Sequence, residues 1–208
     1  FLAEHGIAVI GHDCLGQWIE QRHPKSNGIF GEHRGGTFLV RDMHRVASYG
    51  AKRFSHAKHV MLGHSMGLSD QTDLAAYPGA EPDGVILLGT GFPSPGLVFT
   101  GEMLAMMFGK LCGNHYRSRL LYEMSIGNYS RKFWPIRTHY DWLTRDERYV
   151  DRFCTMKSVI LSLRQEDTGF FHEIRAAEEA EQDGYIPKTI PYLILSGDQD
   201  PVGEQGER

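Results

Sequence analysis

A serine flanked by two glycines, directly after an apolar run, constrains this chain more than any other feature. The pentapeptide Gly63-His64-Ser65-Met66-Gly67 follows the apolar residues Val60-Met61-Leu62. A serine on a tight strand-to-helix turn needs small residues two positions to either side, because a Cβ there would clash where the backbone crosses itself. Such a turn exposes the Ser65 hydroxyl and directs the Met66 N–H toward a developing oxyanion. The motif predicts a nucleophile, although the same pattern also occurs in ordinary turns.

Short apolar runs on either side of this motif indicate a parallel sheet. One helix length after the serine, the chain has the run Gly84-Val85-Ile86-Leu87-Leu88-Gly89, which is typical of a strand. The run Ile7-Ala8-Val9-Ile10-Gly11 is typical of an earlier strand. Between them, apolar residues at 39, 40, 43, 46 and 47 have the spacing of one buried helical face. Alternating strands and helices are typical of parallel sheets with right-handed crossovers. We therefore predict an α/β fold with a mostly parallel sheet.

The character of the chain changes between residues 90 and 189. Aromatic residues and methionines crowd into segments with helical or loop patterns, among them Met103, Met106, Met107, Phe108 and Trp134. Thr144 and Glu147 have the spacing of a capping box, and residues 165–182 carry charges at helical spacing. We predict a core over residues 1–90, a helical cap inserted over 91–189, and the remainder of the core over 190–208. A second small core is the alternative, and it is compatible with a cap.

An aspartate follows the last predicted strand, Pro191-Tyr192-Leu193-Ile194-Leu195. Asp200 precedes a proline, which favours an extended backbone, so its carboxylate should project beyond the carboxyl end of that strand. Ligands and catalytic groups gather at this edge of a parallel sheet. We interpret Asp200 as the carboxylate that orients a catalytic histidine. An aspartate that only forms a turn is the structural alternative, and Asp198 is a weaker functional one.

Composition and charge exclude several classes of protein. The 208 residues are 41% hydrophobic with a formal net charge of −4, and the basic residues are scattered, so we expect a soluble globular protein that does not bind nucleic acid. No apolar stretch approaches the roughly 20 residues of a membrane span, so we expect no stable membrane insertion and a cytoplasmic location. The three cysteines are far apart and the 11 histidines lack ligand spacing. We predict no metal, no cofactor and no disulfide framework.

Three segments together resemble the α/β-hydrolase superfamily, and within it the lysophospholipase and monoacylglycerol-lipase-like branch, also described as the serine aminopeptidase-type hydrolase domain. They are the serine pentapeptide, residues 83–91 and residues 196–203, and the cap segments 125–129 and 138–147 are also similar to bacterial members. The resemblance implies Ser65 as nucleophile, Asp200 as triad acid and the Met66 N–H as one oxyanion donor. It also implies a nucleophile elbow that includes Gly63, His64 and Gly67.

The chain departs from this superfamily at both ends. Members place the triad histidine after the acid, and no histidine follows Asp200 here. The chain opens in what resembles the end of a helix, with Gly6 as its left-handed terminal residue, and it closes in loop residues soon after a strand. We therefore expect the first strands, the last strand and helix, the triad histidine and the second oxyanion donor to lie outside these residues. Loss of the base alone can lower activity about a million-fold, so we expect the 208-residue chain by itself to be inactive.

For the complete protein, the hypothesis is a serine hydrolase that cleaves carboxylic esters through an acyl-enzyme on Ser65. The apolar cap favours a lipid-like substrate such as a lysophospholipid or a monoacylglycerol, because each buried methylene contributes about 0.8 kcal/mol. An aminopeptidase-type hydrolase is one alternative, in which Glu102, Glu123 or Asp141 would hold the substrate ammonium. A binding protein that retains the fold without catalysis is the other.

Overall fold

The computed structural model describes residues 1–12, 35–65, 81–91, 94–113, 116, 118–156 and 189–202. In the first long helix, the backbone is described from residue 35 and the side chains from residue 41. Its longer elements are α1 (Gly35–Arg53), β1 (Val60–His64), β2 (Gly84–Leu88), α2 (Pro95–Cys112), α3 (Arg119–Tyr122), α4 (Glu147–Thr155) and β3 (Tyr192–Leu195). A 3₁₀ turn at Ala3–His5, a π turn at Glu123–Gly127 and a 3₁₀ turn at Tyr129–Lys132 complete the described elements.

The three strands form a parallel sheet in the order β1-β2-β3, as the sequence predicts. The register pairs His64 of β1 with Leu88 of β2, and Leu88 with Leu195 of β3. Near-continuous apolar runs are typical of parallel strands, because both faces of such a sheet are usually covered. This register aligns the carboxyl ends of all three strands at one edge.

The central strand β2 carries the core of the sheet. Val85 and Leu87 are buried, and the partly buried Ile190 and Tyr192 pack against them. These contacts join two stretches of chain that are about a hundred residues apart in sequence. The apolar cluster therefore holds β3 beside β2 and determines where the turn after β3 lies.

The helical region between β2 and β3 has an apolar cluster of its own. Ala105 of α2 and Leu121 of α3 are buried together, with Leu104 and Phe108 packed against them. The Ser118 hydroxyl caps α3 by accepting the Leu121 N–H at 3.3 Å. A second small core is thus present, and it is compatible with a cap. The division into segments 1–90, 91–189 and 190–208 stays a prediction.

The predicted capping box at the start of α4 is wrong. Asp146, not Thr144, is the N-cap, and its carboxylate accepts the Arg148 N–H at 3.0 Å. The Thr144 hydroxyl lies two positions before the cap and accepts the N–H of Asp146 itself at 3.3 Å. Asp146 has an extended backbone and a negative charge, both of which suit the positive end of a helix.

The predicted strand over Ile7–Gly11 is also wrong. These residues belong to no strand, and the side chains of Ile7, Val9 and Ile10 are exposed. An apolar run becomes a strand only where its N–H and C=O groups pair with a neighbouring strand, and composition does not supply that partner. The turn before it is as predicted, because Gly6 ends the 3₁₀ turn with a φ of 75°.

The helix predicted from apolar spacing is confirmed as α1, in which Met43 is buried while Val46 and Ala47 are half-buried. The segment 66–77 after the serine, which the sequence predicts as a helix, and the segment 165–182 with charges at helical spacing lie outside the described residues.

Candidate active site

Three loops leave the sheet at its carboxyl edge, and each carries a candidate residue. Ser65 follows β1, Gly89 follows β2, and Asp200 lies five residues after the end of β3. Backbone hydrogen bonds continue the ladder past the strands: the Ser65 N–H donates to Leu88 O at 2.9 Å, and the Gly89 N–H donates to Leu195 O at 2.8 Å. Ligands of open parallel sheets bind at this edge.

Ser65 has the backbone conformation that a nucleophile elbow requires. Its φ is 55°, which makes it the only non-glycine residue with a positive φ in the part of the chain that the structure describes. A residue with a Cβ is strained in this left-handed region by about 1–2 kcal/mol, and strain of this kind is concentrated at functional sites. The turn is reached directly from β1, whose Gly63 is buried and paired with Leu87. Met66 and Gly67 lie outside the described residues.

Asp200 sits in a tight turn that directs its carboxylate toward the end of β2. The Asp200 N–H donates to Gly197 O at 3.1 Å, and the Val202 N–H donates to Asp200 Oδ1 at 3.0 Å. The other carboxylate oxygen, Oδ2, lies 3.1 Å from the point that a Cβ on Gly89 would occupy. Asp200 is half-buried there, beside the strand that ends next to Ser65.

The His64 ring approaches the same point from β1. Its Nε2 lies 3.7 Å from the position of a Gly89 Cβ, so the imidazole and the Asp200 carboxylate both border this glycine. Gly89 itself has a φ of 57°, and the close approach leaves little space for a side chain. The structure thus brings Ser65, Gly89 and Asp200 to one place. Sequence reasoning took Gly89 only as the end of a strand, although a glycine directly after a predicted parallel strand was an available signal.

Asp198, the weaker candidate acid, is directed elsewhere. Its carboxylate receives hydrogen bonds from Arg145 Nη2 at 2.7 and 2.8 Å, and both side chains are exposed. The pKa of Asp198 lies below its ordinary value, chiefly because Arg145 donates to the carboxylate. Sequence reasoning gave Arg145 no role, since 53 residues separate it from Asp198.

Two of the carboxylates considered for holding a substrate ammonium already have partners. Glu123 lies 3.3 Å from an Arg131 nitrogen and 3.8 Å from one of Arg119. Asp141 accepts the Thr138 hydroxyl at 2.6 Å and the Arg137 N–H at 2.7 Å. Burial raises the pKa of Asp141, but these hydrogen bonds outweigh it, so its pKa lies below the ordinary value.

The described ranges contain neither a cluster suited to a metal ion nor a helix suited to a membrane. Within them, no three or more His, Cys, Asp and Glu side chains are grouped as they would be around a metal ion. Cys112 and Cys154 are free thiols, and Cys14 lies outside those ranges. No helix in those parts of the chain is long and apolar enough to cross a membrane.

Comparison with known proteins places the chain in a family. The family model described as serine aminopeptidase, S33, matches residues 1–208. The chain belongs to the S33 family. None of the curated proteins compared with this S33 chain is significantly similar to it in sequence.

A solved structure agrees with the observed fold. A highly thermostable carboxyl esterase from Bacillus coagulans, in complex with glycerol, is similar to this S33 chain with a TM-score of 0.67 and 22% sequence identity. The match covers 83% of this chain and 56% of the esterase, so the chain spans just over half of that protein's length. At this identity the similarity concerns the fold alone. Together with the S33 match and the parallel sheet, it confirms the predicted α/β-hydrolase fold.

Proposed function

We propose that the complete protein is a serine hydrolase that cleaves carboxylic esters, with Ser65 as nucleophile and Asp200 as the triad acid. Membership of the S33 family supports hydrolytic chemistry. The observation that carries the proposal is the position of Asp200 Oδ2 against Gly89, at the end of the strand next to the one that leads into Ser65. The proposal requires a single imidazole at this edge to contact both side chains, as in other triads.

The proposed reaction is a two-step acyl transfer. A histidine from outside these residues takes the Ser65 hydroxyl proton while Oγ attacks the ester carbonyl carbon. The Asp200 carboxylate accepts the other imidazole N–H and stabilises the imidazolium, and the Met66 N–H donates to the oxyanion. The C–O bond to the alcohol then breaks, and the imidazolium gives its proton to the leaving alkoxide. Water, deprotonated by the same imidazole, then attacks the acyl carbon. The bond from that carbon to Ser65 Oγ breaks, the imidazolium returns its proton to Oγ, and the acid is released.

We further propose a lipid-like substrate, a lysophospholipid or a monoacylglycerol, bound under a cap formed by the helical segment 91–189. Helix α2 supports this, because it leaves large apolar side chains exposed, namely Phe99, Met103, Met106, Met107 and Leu111. Methionine side chains adapt to flexible acyl chains. The contact of Arg145 with Asp198 also favours a cap, since it ties the segment before α4 to the turn at the carboxyl edge.

The paired carboxylates weigh against an aminopeptidase. A substrate ammonium needs a carboxylate whose charge is available. If the carboxylate must first break an ion pair or several hydrogen bonds, the free-energy cost of breaking them opposes substrate binding. Glu123 is within ion-pair distance of two arginines, and Asp141 accepts hydrogen bonds from Thr138 and Arg137. The ester reaction requires neither carboxylate. We therefore favour the esterase over the peptidase.

The substrate class can be tested by comparing leaving groups and acyl chains on the full-length protein. We expect p-nitrophenyl esters from butanoyl to dodecanoyl to be cleaved faster than aminoacyl p-nitroanilides. For an acyl chain that becomes buried, kcat/KM should rise by up to about fourfold per added methylene, the equivalent of about 0.8 kcal/mol. The Ser65→Ala variant is the control for background hydrolysis. Faster cleavage of the anilides would replace the esterase proposal with the aminopeptidase.

The non-catalytic alternative requires a different measurement. A fluorophosphonate reacts covalently with an activated serine and needs no knowledge of the natural substrate. We expect one adduct per full-length chain, located on Ser65 by mass spectrometry and absent from Ser65→Ala. A protein that is folded but forms no Ser65 adduct would be a binding protein with the hydrolase fold.

A further inference from the structure

An ion pair joins the helical region to the turn that carries the proposed acid. Arg145 Nη2 donates to both carboxylate oxygens of Asp198, at 2.8 Å to Oδ1 and 2.7 Å to Oδ2. The two residues are 53 positions apart in sequence, so the contact depends on the tertiary fold. Both side chains are 72% exposed, which limits the strength of the pair and makes it sensitive to salt.

Asp198 lies inside the turn that orients Asp200. The Asp200 N–H donates back to Gly197 O at 3.1 Å, and a Cβ on Gly197 would lie 3.6 Å from the Asp200 Cβ, so the chain folds tightly around Asp198. The Val202 N–H then holds Asp200 Oδ1 at 3.0 Å. A change in this turn would move Asp200 Oδ2 relative to Gly89.

The other end of the ion pair is also held in place. Arg145 lies between Thr144, whose hydroxyl accepts the Asp146 N–H, and Asp146 itself, which caps α4. Arg145 thus projects from a hydrogen-bonded segment, and it can restrain the turn that contains Asp198.

We propose that Arg145 is a positioning residue for the hydrolase reaction: by binding Asp198, it holds the turn in the arrangement that presents Asp200 at the end of β2. This inference rests on the proposed function. Arg145 takes no part in bond making, so its effect should fall on kcat rather than on KM. Because exposed ion pairs are weak, the expected effect on kcat is about two- to fivefold.

The experiment compares charge variants in the full-length protein. Arg145→Gln and Asp198→Asn should each lower kcat for a p-nitrophenyl ester about two- to fivefold with KM unchanged, and Arg145→Asp should lower it further by like-charge repulsion. The exchanged pair Arg145→Asp with Asp198→Arg should restore kcat. The loss should shrink at 1 M salt, where the screening length is about 3 Å. Arg148→Gln is the matched control, because it removes an equally charged partner of Asp146 in the same segment without touching the turn.

A second readout separates this inference from the proposed function. Amide hydrogen exchange at Asp200 and Val202 should be about two- to fivefold faster in Arg145→Gln than in Arg148→Gln, whether or not the protein hydrolyses esters. If wild type neither cleaves esters nor labels at Ser65, the proposed function fails while exchange still tests the restraint. Equal kcat and equal exchange in the two glutamine variants, or an exchanged pair that stays as impaired as Arg145→Asp, would overturn the role of Arg145.

Discussion

The substitution Gly89→Ala tests the proposed site through one added methyl group. Gly89 has a φ of 57°, where an L-residue is destabilised by about 1–2 kcal/mol relative to glycine. The new Cβ would also lie 3.1 Å from Asp200 Oδ2 and 3.7 Å from His64 Nε2. The first distance is shorter than ordinary van der Waals contact, so the carboxylate must move by a few tenths of an ångström.

The effect on rate follows from that displacement. A misplacement of about 1 Å at a catalytic group can lower the rate about a hundredfold, so a few tenths should lower kcat/KM about five- to tenfold. Gly6→Ala is the matched control, because Gly6 has a φ of 75° and no atom within 4 Å of an added Cβ. Both variants should lose about 1–2 kcal/mol of unfolding free energy, whereas only Gly89→Ala should lose activity.

The assay combines ester hydrolysis with active-site titration on the full-length protein. Labelling the protein to completion with a fluorophosphonate counts the folded, reactive molecules. The value of kcat then refers to active enzyme alone. Urea denaturation gives the free energy of unfolding for both variants. Unchanged kcat/KM in Gly89→Ala would mean that Asp200 either lies away from Gly89 or takes no part in the reaction. An equal loss in Gly6→Ala would attribute the effect to stability.

Three further predictions concern single side chains. Ser65→Gly should be about 1 kcal/mol more stable to urea than Ser65→Ala, because only glycine is unstrained at a φ of 55°; equal stabilities would show that the elbow stores no strain. Asp200→Asn should lower kcat about 10⁴-fold without changing the fold by circular dichroism, and a loss below tenfold would exclude Asp200 as the acid. Asp141 has a lowered pKa when folded, so it stabilises the protein above its unfolded pKa of about 3.9, and this contribution is lost as the pH falls through the folded pKa. The gap in unfolding free energy between wild type and Asp141→Asn should therefore be full at pH 6 and narrow below about pH 4, and a constant gap would refute this.

Local sequence was enough to predict the three described strands and helix α1. The three strands coincide with apolar runs, and α1 coincides with the spacing of one buried helical face. These predictions succeed because buried parallel strands and amphipathic helices each leave a short-range periodic signal. The strand predicted at Ile7–Gly11 is wrong for the complementary reason, since an apolar run does not specify a hydrogen-bonding partner. The N-cap of α4 was misplaced by two residues because Thr144 and Asp146 can both cap a helix.

In the candidate site, too, neighbouring residues determine some features and the tertiary fold determines others. The glycine spacing around Ser65 predicted a tight turn, which the positive φ of Ser65 confirms, because this effect acts within a few residues of backbone. The extended backbone that Pro201 favours at Asp200 stays a prediction. The parallel sheet then predicted that the two would share an edge. Their roles in catalysis stay predictions, as does the position of the Met66 N–H.

Short-range patterns in the chain therefore account for the strands, the long helix and the two catalytic candidates, since backbone sterics and periodic burial operate over a few residues. Tertiary structure alone decided the strand register, the closeness of Gly89 to Asp200 and the contact of Arg145 with Asp198. Val85 and Tyr192 pair across more than a hundred residues of chain, and Arg145 meets Asp198 across 53. Contacts at such separations depend on how all the elements pack together, and no local pattern encodes them.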